Sequence, residues 1–588
     1  MSPLHPLEGL GDRRIIASYN SRAPSPTRFA CANIFWMTQL LQNDGPVSDW
    51  LGRRAQLSPE LVALLDPWSH GQRQPASEPQ PHPRPPLSYR QLHQAASQTA
   101  RLLQLACGVA SGDRVAILAK NCRAYLELLF ACGQLGAILQ TLNWRLSGPE
   151  LAAQLQDARP LVLCVTPEYL ELGRQLSQLG PVRPQLLLID EALATLAGSL
   201  PLPTDLLRLS MRAELQPEAV QFPARSLRDP WVLCYTGGST GAAKGALLTH
   251  GSMLWNAINT ATSWGLTADD CALLNAPLFH TGGMNVFTVP LLYLGGASVL
   301  CREWRTEQVL DLLSEPPTAA AAESNSALAL PAISVMFGVP TMFQDLQAHP
   351  RFAATPLERL KLVISGGAPC PPAVFQRFFE RHIRFRTGYG LTEAGPNNFV
   401  LPEKVVLTKP GCVGQPMLHV EAELVDSSGA PCQRGEVGEL RLRGPHVCGG
   451  YFEKPTETAQ LIRDGWLYTG DLARQDTDGH FYIVGRSKEM FISGGENVYP
   501  VEVEAALTSH PQVIAACVLG IPDERWGEVG CAFVVTSSPI SQAELQSHCR
   551  TRLASYKVPR SFVFVDELPR TSAGKIDRRA LQALARSR

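Results

Sequence analysis

The sequence predicts a multidomain α/β protein, and three observations carry that expectation. A chain of 588 residues exceeds what a single hydrophobic core organises, so two or more domains follow. Short apolar runs alternate with amphipathic helical stretches over much of the chain, the pattern of a doubly wound parallel sheet. The pattern then changes twice. Short alternating strands with turns between them, from 411 to 444, suit a small β-barrel, and the roughly 100 residues that follow 485–488 read as a self-contained α+β unit.

Taken in order, residues 1–44 read as an N-terminal extension, either a disordered tail or sequence upstream of a true start at Met37. Arg13, Arg14, Arg22 and Arg28, with few acids among them, leave a transit-peptide reading open, and there is no apolar secretory core. The Pro-, Gln- and His-rich stretch 70–86 is an extended surface loop. Residues 87–92 then open a helix whose Leu92, Ala96, Thr99, Leu102 and Leu103 keep helical spacing. A strand at 114–118, a helix at 125–139 and a strand at 161–165 follow. A second alternating block spans 271–363, interrupted at 316–330 by an Ala- and Ser-rich flexible insertion. Its least charged passage, 273–301, is broken by Asn275, Pro277, His280 and Pro290, so it is a buried core passage and not a membrane span. Barrel strands fall at 421–425 and 438–443. The last unit has a helix at 500–507, strands at 514–519 and 530–535, a helix at 541–552 and a strand at 561–565.

With 45% apolar residues, 18% charged residues and a net charge of −1, the composition is that of an ordinary soluble protein. No basic stripe points to nucleic acid or to an anionic membrane. The 15 cysteines are scattered singly, without metal-ligand spacing, and read as reduced thiols of a cytoplasmic protein. Cys234 lies beside the most informative loop of the chain, but as a small buried hydrophobe it needs no catalytic role.

That loop is Tyr235-Thr236-Gly237-Gly238-Ser239-Thr240-Gly241-Ala242-Ala243-Lys244-Gly245, with three aliphatic hydroxyls, four glycines and a lysine behind the apolar run 231–234. Glycines bring backbone N–H groups close to a polyanion, and hydroxyls and an ammonium add donors, so the loop reads as a phosphate grip. A P-loop NTPase needs Ser or Thr after the lysine and a helix directly behind it. Here Gly245 follows Lys244, and 246–249 has the character of a second strand. A plain Gly/Ser turn is the remaining alternative on local grounds.

Four further segments follow the loop in order: Gly388-Tyr389-Gly390-Leu391-Thr392-Glu393; Tyr468-Thr469-Gly470-Asp471; Gly485-Arg486-Ser487-Lys488-Glu489 with Ser493-Gly494-Gly495-Glu496-Asn497; and Pro569-Arg570-Thr571-Ser572-Ala573-Gly574-Lys575. From about residue 45 to the C-terminus the chain therefore resembles the adenylate-forming superfamily of acyl-CoA synthetases, adenylation domains and firefly-type luciferases. The resemblance implies a large domain, 45–486, of two α/β subdomains plus a small β-barrel, and a small mobile α+β lid, 487–588. It also implies ATP, Mg²⁺ and coenzyme A.

Carboxylates are poor acyl donors because the leaving group would be oxide, and AMP replaces that oxygen. The resemblance sets Thr236, Gly237, Gly238, Ser239, Thr240, Gly241 and Lys244 around the β- and γ-phosphates. Ala243 stands where the family usually has proline, which implies a more mobile loop. Thr392 would meet the α-phosphate and Glu393 would hold Mg²⁺. Asp471, assisted by Arg486, would take the ribose hydroxyls. Gly366, Gly367 and Ala368 would lie against adenine, with Tyr389, next to Gly390, as the stacking face. Lys575 would neutralise charge between carboxylate, α-phosphate and pyrophosphate. His280 would gate the carboxylate and thiol entrance, with Gly282 and Gly283 leaving room for an acyl group. Lys488 would be the hinge, and Gly494 and Gly495 would let a pantetheine arm pass. Taken without the resemblance, Glu393 reads as a solvated loop acid, Asp471 as a turn cap, His280 as a core histidine and Lys575 as one lysine of a basic tail.

The function implied is an AMP-forming acid–CoA ligase whose substrate is a small-molecule carboxylic acid, with a medium- or long-chain fatty acid expected. The alternatives are an aryl acid or delivery of the acyl group to a carrier protein acting in trans. A luciferase-like oxygenase has no feature of its own in the sequence, and a non-catalytic regulator would be expected to lack Lys575 or Glu393.

Overall fold

The computed structural model describes residues 49–67, 85–190, 206–214, 225–236, 243–314, 332–368, 370–571 and 575–586. The expectations for 1–44 and 316–330 lie outside them, as does that for 70–86 apart from Pro85 and Pro86.

The described chain forms four sheets. The first runs Leu207–Arg208, Gln185–Leu188, Val162–Val165, Arg114–Leu118, Ile138–Thr141, Pro230–Thr236 and Lys244–Thr249 from edge to edge. Its neighbours are parallel except the last two strands, which are antiparallel. The helix Tyr89–Cys107 begins at Ser88, whose hydroxyl accepts the Gln91 N–H while the Gln91 side chain accepts the Ser88 N–H, and it ends at Gly108 with φ 68°. The helix expected over 125–139 is instead Arg123–Leu135. Gly136, at φ 70°, closes it, and Ile138–Thr141 becomes a central strand. The largely apolar run, broken only by Glu127, Gln134 and two glycines, hid that boundary, because a buried helix and a buried parallel strand share such a run.

The second sheet has the order Phe385–Thr387, Leu362–Ser365, Val335–Gly338, Cys271–Leu274, Ala297–Leu300, Val62–Leu65 and Leu87–Ser88. Its last two strands precede the whole first sheet in sequence, so the block expected at 271–363 is completed from the beginning of the described chain. Asn121 joins the two sheets: its amide donates to the carbonyls of Ala276 (2.9 Å) and Cys301 (3.0 Å), and its oxygen accepts the Leu278 N–H (2.8 Å). The loop bearing His280 is thereby held against the first sheet.

The small barrel is a curled antiparallel sheet in the order Phe399–Val400, Cys412–Pro416, Phe481–Arg486, Trp466–Gln475, Val437–Arg443 and Glu421–Val425, with Ile462–Arg463 beside Trp466–Gln475. A separate C-terminal unit carries Glu496–Val498, Phe491–Ser493, Gly527–Thr536 and Val513–Asp523, with Ser561–Phe564 parallel to Gly527–Thr536. It has its own core, including Val503, Leu507, Val518, Val534 and Leu545. No described helix is long and apolar enough to cross a membrane.

Candidate active site

The first site element is the antiparallel pair Pro230–Thr236 and Lys244–Thr249, in which Thr236 faces Lys244 and its hydroxyl donates to the Lys244 carbonyl at 3.4 Å. Gly237, Gly238, Ser239, Thr240 and Gly241 lie outside the described residues. The chain after Lys244 returns as a strand, where a P-loop would continue into a helix. Cys234 is buried two residues before the end of the first of these strands, and burial pushes its thiol up to about 11, as befits a packing residue.

Glu393 sits in a 3₁₀ turn, Thr392–Ala394, and both Thr392 and Glu393 are buried. The Tyr451 hydroxyl donates to Glu393 Oε1 at 2.7 Å, and the Lys244 ammonium stands 5.2 Å from the centre of the same tyrosine ring. No described lysine or arginine forms an ion pair with Glu393. A buried carboxylate with one oxygen hydrogen-bonded and no cationic side chain paired to it is a chemically suitable ligand for Mg²⁺.

The next cluster joins the barrel to the second sheet. Asp471 and Arg486 are cross-strand partners, and Arg486 Nε lies 2.6 Å from Asp471 Oδ1. The Tyr389 hydroxyl donates to Asp471 Oδ2 at 2.5 Å. Burial raises the Asp471 carboxyl above its ordinary value, against the pull of Arg486, Tyr389 and Lys575. Each oxygen keeps a second acceptor site for a diol. Gly366, Gly367 and Ala368 follow the strand Leu362–Ser365, and Gly367 adopts φ +83°. Gly390 answers to packing: a Cβ there would lie 2.2 Å from the Pro396 carbonyl carbon. Gly283 is similar, with Pro277 O 2.2 Å from a Cβ, so its smallness lets two backbone segments meet and does not make room for an acyl chain, as the sequence had suggested.

Lys575 enters from the C-terminal unit on a loop closed by an antiparallel bridge between Arg570 and Ile576. Lys575 is exposed to solvent. Desolvation by the surrounding protein and the Arg486 guanidinium pull its ammonium below the ordinary lysine value, against Asp471, Glu393 and Glu489. His280 feels Lys575 too: burial and that ammonium lower its imidazole to about 4, so the ring is neutral near pH 7. His280 Nδ1 accepts the Gly282 N–H at 3.0 Å, which fixes the ring at the start of the turn Thr281–Gly283. Lys575, His280, Glu393, Asp471 and Arg486, scattered over 280–575, thus share one electrostatic neighbourhood.

Lys488, exposed in a turn, and the pair Gly494–Gly495 form no hydrogen bond or ion pair with that cluster among the described residues. Tyr451 escaped the sequence reading, because a tyrosine after Gly449-Gly450 carries no local signature of the carboxylate it meets.

The AMP-binding enzyme family matches residues 58–452, and the AMP-binding enzyme C-terminal domain matches 502–575. The chain is 40% identical over 538 residues to a feruloyl-CoA synthase of Amycolatopsis sp, covering 91% of this chain and 98% of that one. It is 33% identical to the indoleacetate–CoA ligase of Aromatoleum aromaticum, with 90% and 96% covered. Among solved structures it resembles the o-succinylbenzoate CoA synthetase of Bacillus subtilis in complex with its acyl-adenylate intermediate, with TM-score 0.73, 28% identity and 92% and 98% covered.

Proposed function

The chain belongs to the AMP-binding enzyme family and is an AMP-forming acid–CoA ligase, and we propose that the acid it activates is aromatic, of cinnamate, benzoate or arylacetate type. The observation that carries this is the near full-length likeness to relatives named for feruloyl and indoleacetate groups. It favours the aryl alternative over the fatty acid expected from the sequence. The enzyme uses ATP, Mg²⁺ and coenzyme A.

In the first half-reaction a carboxylate oxygen attacks the α-phosphorus of ATP and pyrophosphate leaves. Thr236 and Lys244, with the glycines between them, would grip the β- and γ-phosphates, and Thr392 would meet the α-phosphate. Asp471 and Arg486 would clamp the ribose, while Gly366, Gly367, Ala368 and Tyr389 would border the adenine. Glu393 would hold Mg²⁺, which would supply neutralisation of phosphate charge. Lys575 would offset charge where the carboxylate, α-phosphate and leaving pyrophosphate meet; its proximity to Asp471, Glu393 and His280 supports this. A neutral His280 suits a gate better than a base, since an ionised acid needs no proton removed.

In the second half-reaction the CoA sulfur attacks the acyl carbon and AMP leaves. The C-terminal unit would turn about Lys488, withdraw Lys575 and bring the 493–497 turn to the cleft, with Gly494 and Gly495 beside the pantetheine arm.

The test is pyrophosphate release with Mg-ATP across hydroxycinnamates, benzoates, arylacetates and fatty acids of graded length, with and without CoA, following the thioester by mass. CoA-dependent turnover confined to aryl acids is the expected result. Turnover with fatty acids instead would overturn the substrate class, and acyl-AMP retained while CoA is ignored would point to a carrier protein.

A further inference from the structure

We propose that Tyr451 is a positioning residue for the cation: it aims the Glu393 carboxylate at Mg²⁺ and couples that ligand to the phosphate-loop lysine. The proposal rests on the reading of Glu393 as the Mg²⁺ ligand.

The geometry comes from one short segment. Residues 449–452 lie along the strand Lys244–Thr249, with Gly449 N–H donating to Leu247 O (2.8 Å), Leu247 N–H to Gly450 O (2.9 Å) and Phe452 N–H to Gly245 O (2.8 Å). Tyr451 bridges to Ala246 in that register, and its own N–H donates to Thr458 Oγ1 at 2.9 Å. Its backbone is thus held by strand pairing on one side and by the Thr458 hydroxyl on the other. The same segment grips the 3₁₀ turn twice: Cys448 N–H donates to the Glu393 carbonyl (2.8 Å) and the Tyr451 hydroxyl to Glu393 Oε1 (2.7 Å). A phenol has one proton to give. Given to Oε1, it sets the plane of the carboxylate and leaves Oε2 as the oxygen available to a cation. The Lys244 ammonium lies 5.2 Å from the centre of that ring, so the two groups meant for the triphosphate and its metal lean on one side chain. Side chains that orient a metal ligand without touching the metal typically carry about 10- to 100-fold in metal affinity.

Tyr451→Phe removes the hydroxyl and keeps the ring under Lys244. ATP binding is measured by calorimetry without acid, in EDTA and over a Mg²⁺ titration, for wild type, Y451F, Glu393→Gln and the double variant. The expected result is unchanged ATP affinity in EDTA, a Mg²⁺ half-saturation raised about 10-fold in Y451F, and less than a roughly 2-fold further change when Y451F is added to E393Q. Wild-type Mg²⁺ half-saturation in Y451F, or an equal loss of ATP affinity in EDTA, overturns the proposal; the second outcome would make Tyr451 a packing residue of the loop. If Y451F does not fold, Tyr451→His, which keeps a ring donor, must bind Mg²⁺ within about 3-fold of wild type, and Tyr451→Leu must not. Wild-type ATP binding that is indifferent to Mg²⁺ would instead remove the reading of Glu393 itself, independently of Tyr451.

Discussion

Lys575 is positioned by pairing between the residues that flank it, with the Thr571 N–H donating to the Lys575 carbonyl and the Asp577 N–H to the Pro569 carbonyl, both at 2.7 Å. Arg578 anchors these flanking residues through Glu489 (3.1 Å), Glu504 (2.7 Å) and the Val518 carbonyl (2.8 Å). Lys575 is therefore flanked by braced residues, and a charge aimed at a developing phosphate charge typically lowers the barrier by about 2.7–4 kcal/mol. Lys575→Ala is expected to slow acyl-AMP formation by roughly 10²–10³ while sparing thioester formation from supplied acyl-AMP. Pyrophosphate exchange and thioester assays run side by side check this, and equal loss of both would end the division of labour. His280 makes a second prediction. With its imidazole near 4, the adenylation rate should show no limb between pH 5 and 8 that disappears in His280→Ala. At this scale the motif residues stood out only through the ordered resemblance, since Glu393, Asp471 and Lys575 taken one by one read as a loop acid, a turn cap and a basic-tail lysine. Tyr451 did not, since it meets Glu393 from 58 positions away.

Among the elements, the hairpin Phe491–Ser493 and Glu496–Val498 is turned by Gly494 at φ +62° and Gly495 at φ +88°, with Ser493 paired to Glu496. Positive φ at both central residues is the type I′ turn that two-residue hairpins favour, so both glycines have a structural reason to be present whatever passes beside them. A Cβ on Gly494 would also lie 2.6 Å from the Trp526 ring, whereas one on Gly495 would meet nothing within 4 Å. Gly495→Ala should cost the C-terminal unit about 1–2 kcal/mol from the left-handed backbone alone, and Gly494→Ala more, by denaturant melts. If the turn also borders pantetheine, Gly495→Ala raises the KM for CoA and leaves adenylation unchanged. The sequence offered the double glycine only as a passage for pantetheine; the tight turn and the neighbouring Trp526 are visible only in the fold.

For the molecule as a whole, two interior histidines away from the site add to His280 in setting an acid limit on stability. His250 stacks on Trp231 at 4.7 Å, His446 is 1% exposed, and burial lowers each imidazole to about 4. Unfolded histidine titrates near 6.5, so below that pH the unfolded chain binds protons that the native chain refuses. Stability is fully present above about pH 7 and falls as pH drops from 6.5 towards 4, by up to about 3 kcal/mol per histidine. Urea midpoints between pH 7.5 and 4.5 should decline accordingly, and His446→Leu should flatten the slope by one proton even if it lowers the midpoint at neutral pH. The sequence by itself determined the class of fold, the order of the motifs and the α+β character of the C-terminal unit, because hydrophobic period, caps and turn glycines are written within a few residues of where they act. Only the tertiary structure decided that Val62–Leu65 completes the second sheet, that Gly136 ends a helix inside an apolar run, that His280 is neutral beside Lys575, and that Tyr451 holds Glu393. Those outcomes depend on strand pairing and desolvation between segments far apart in the chain, and no local pattern of residues encodes which distant group will be the neighbour.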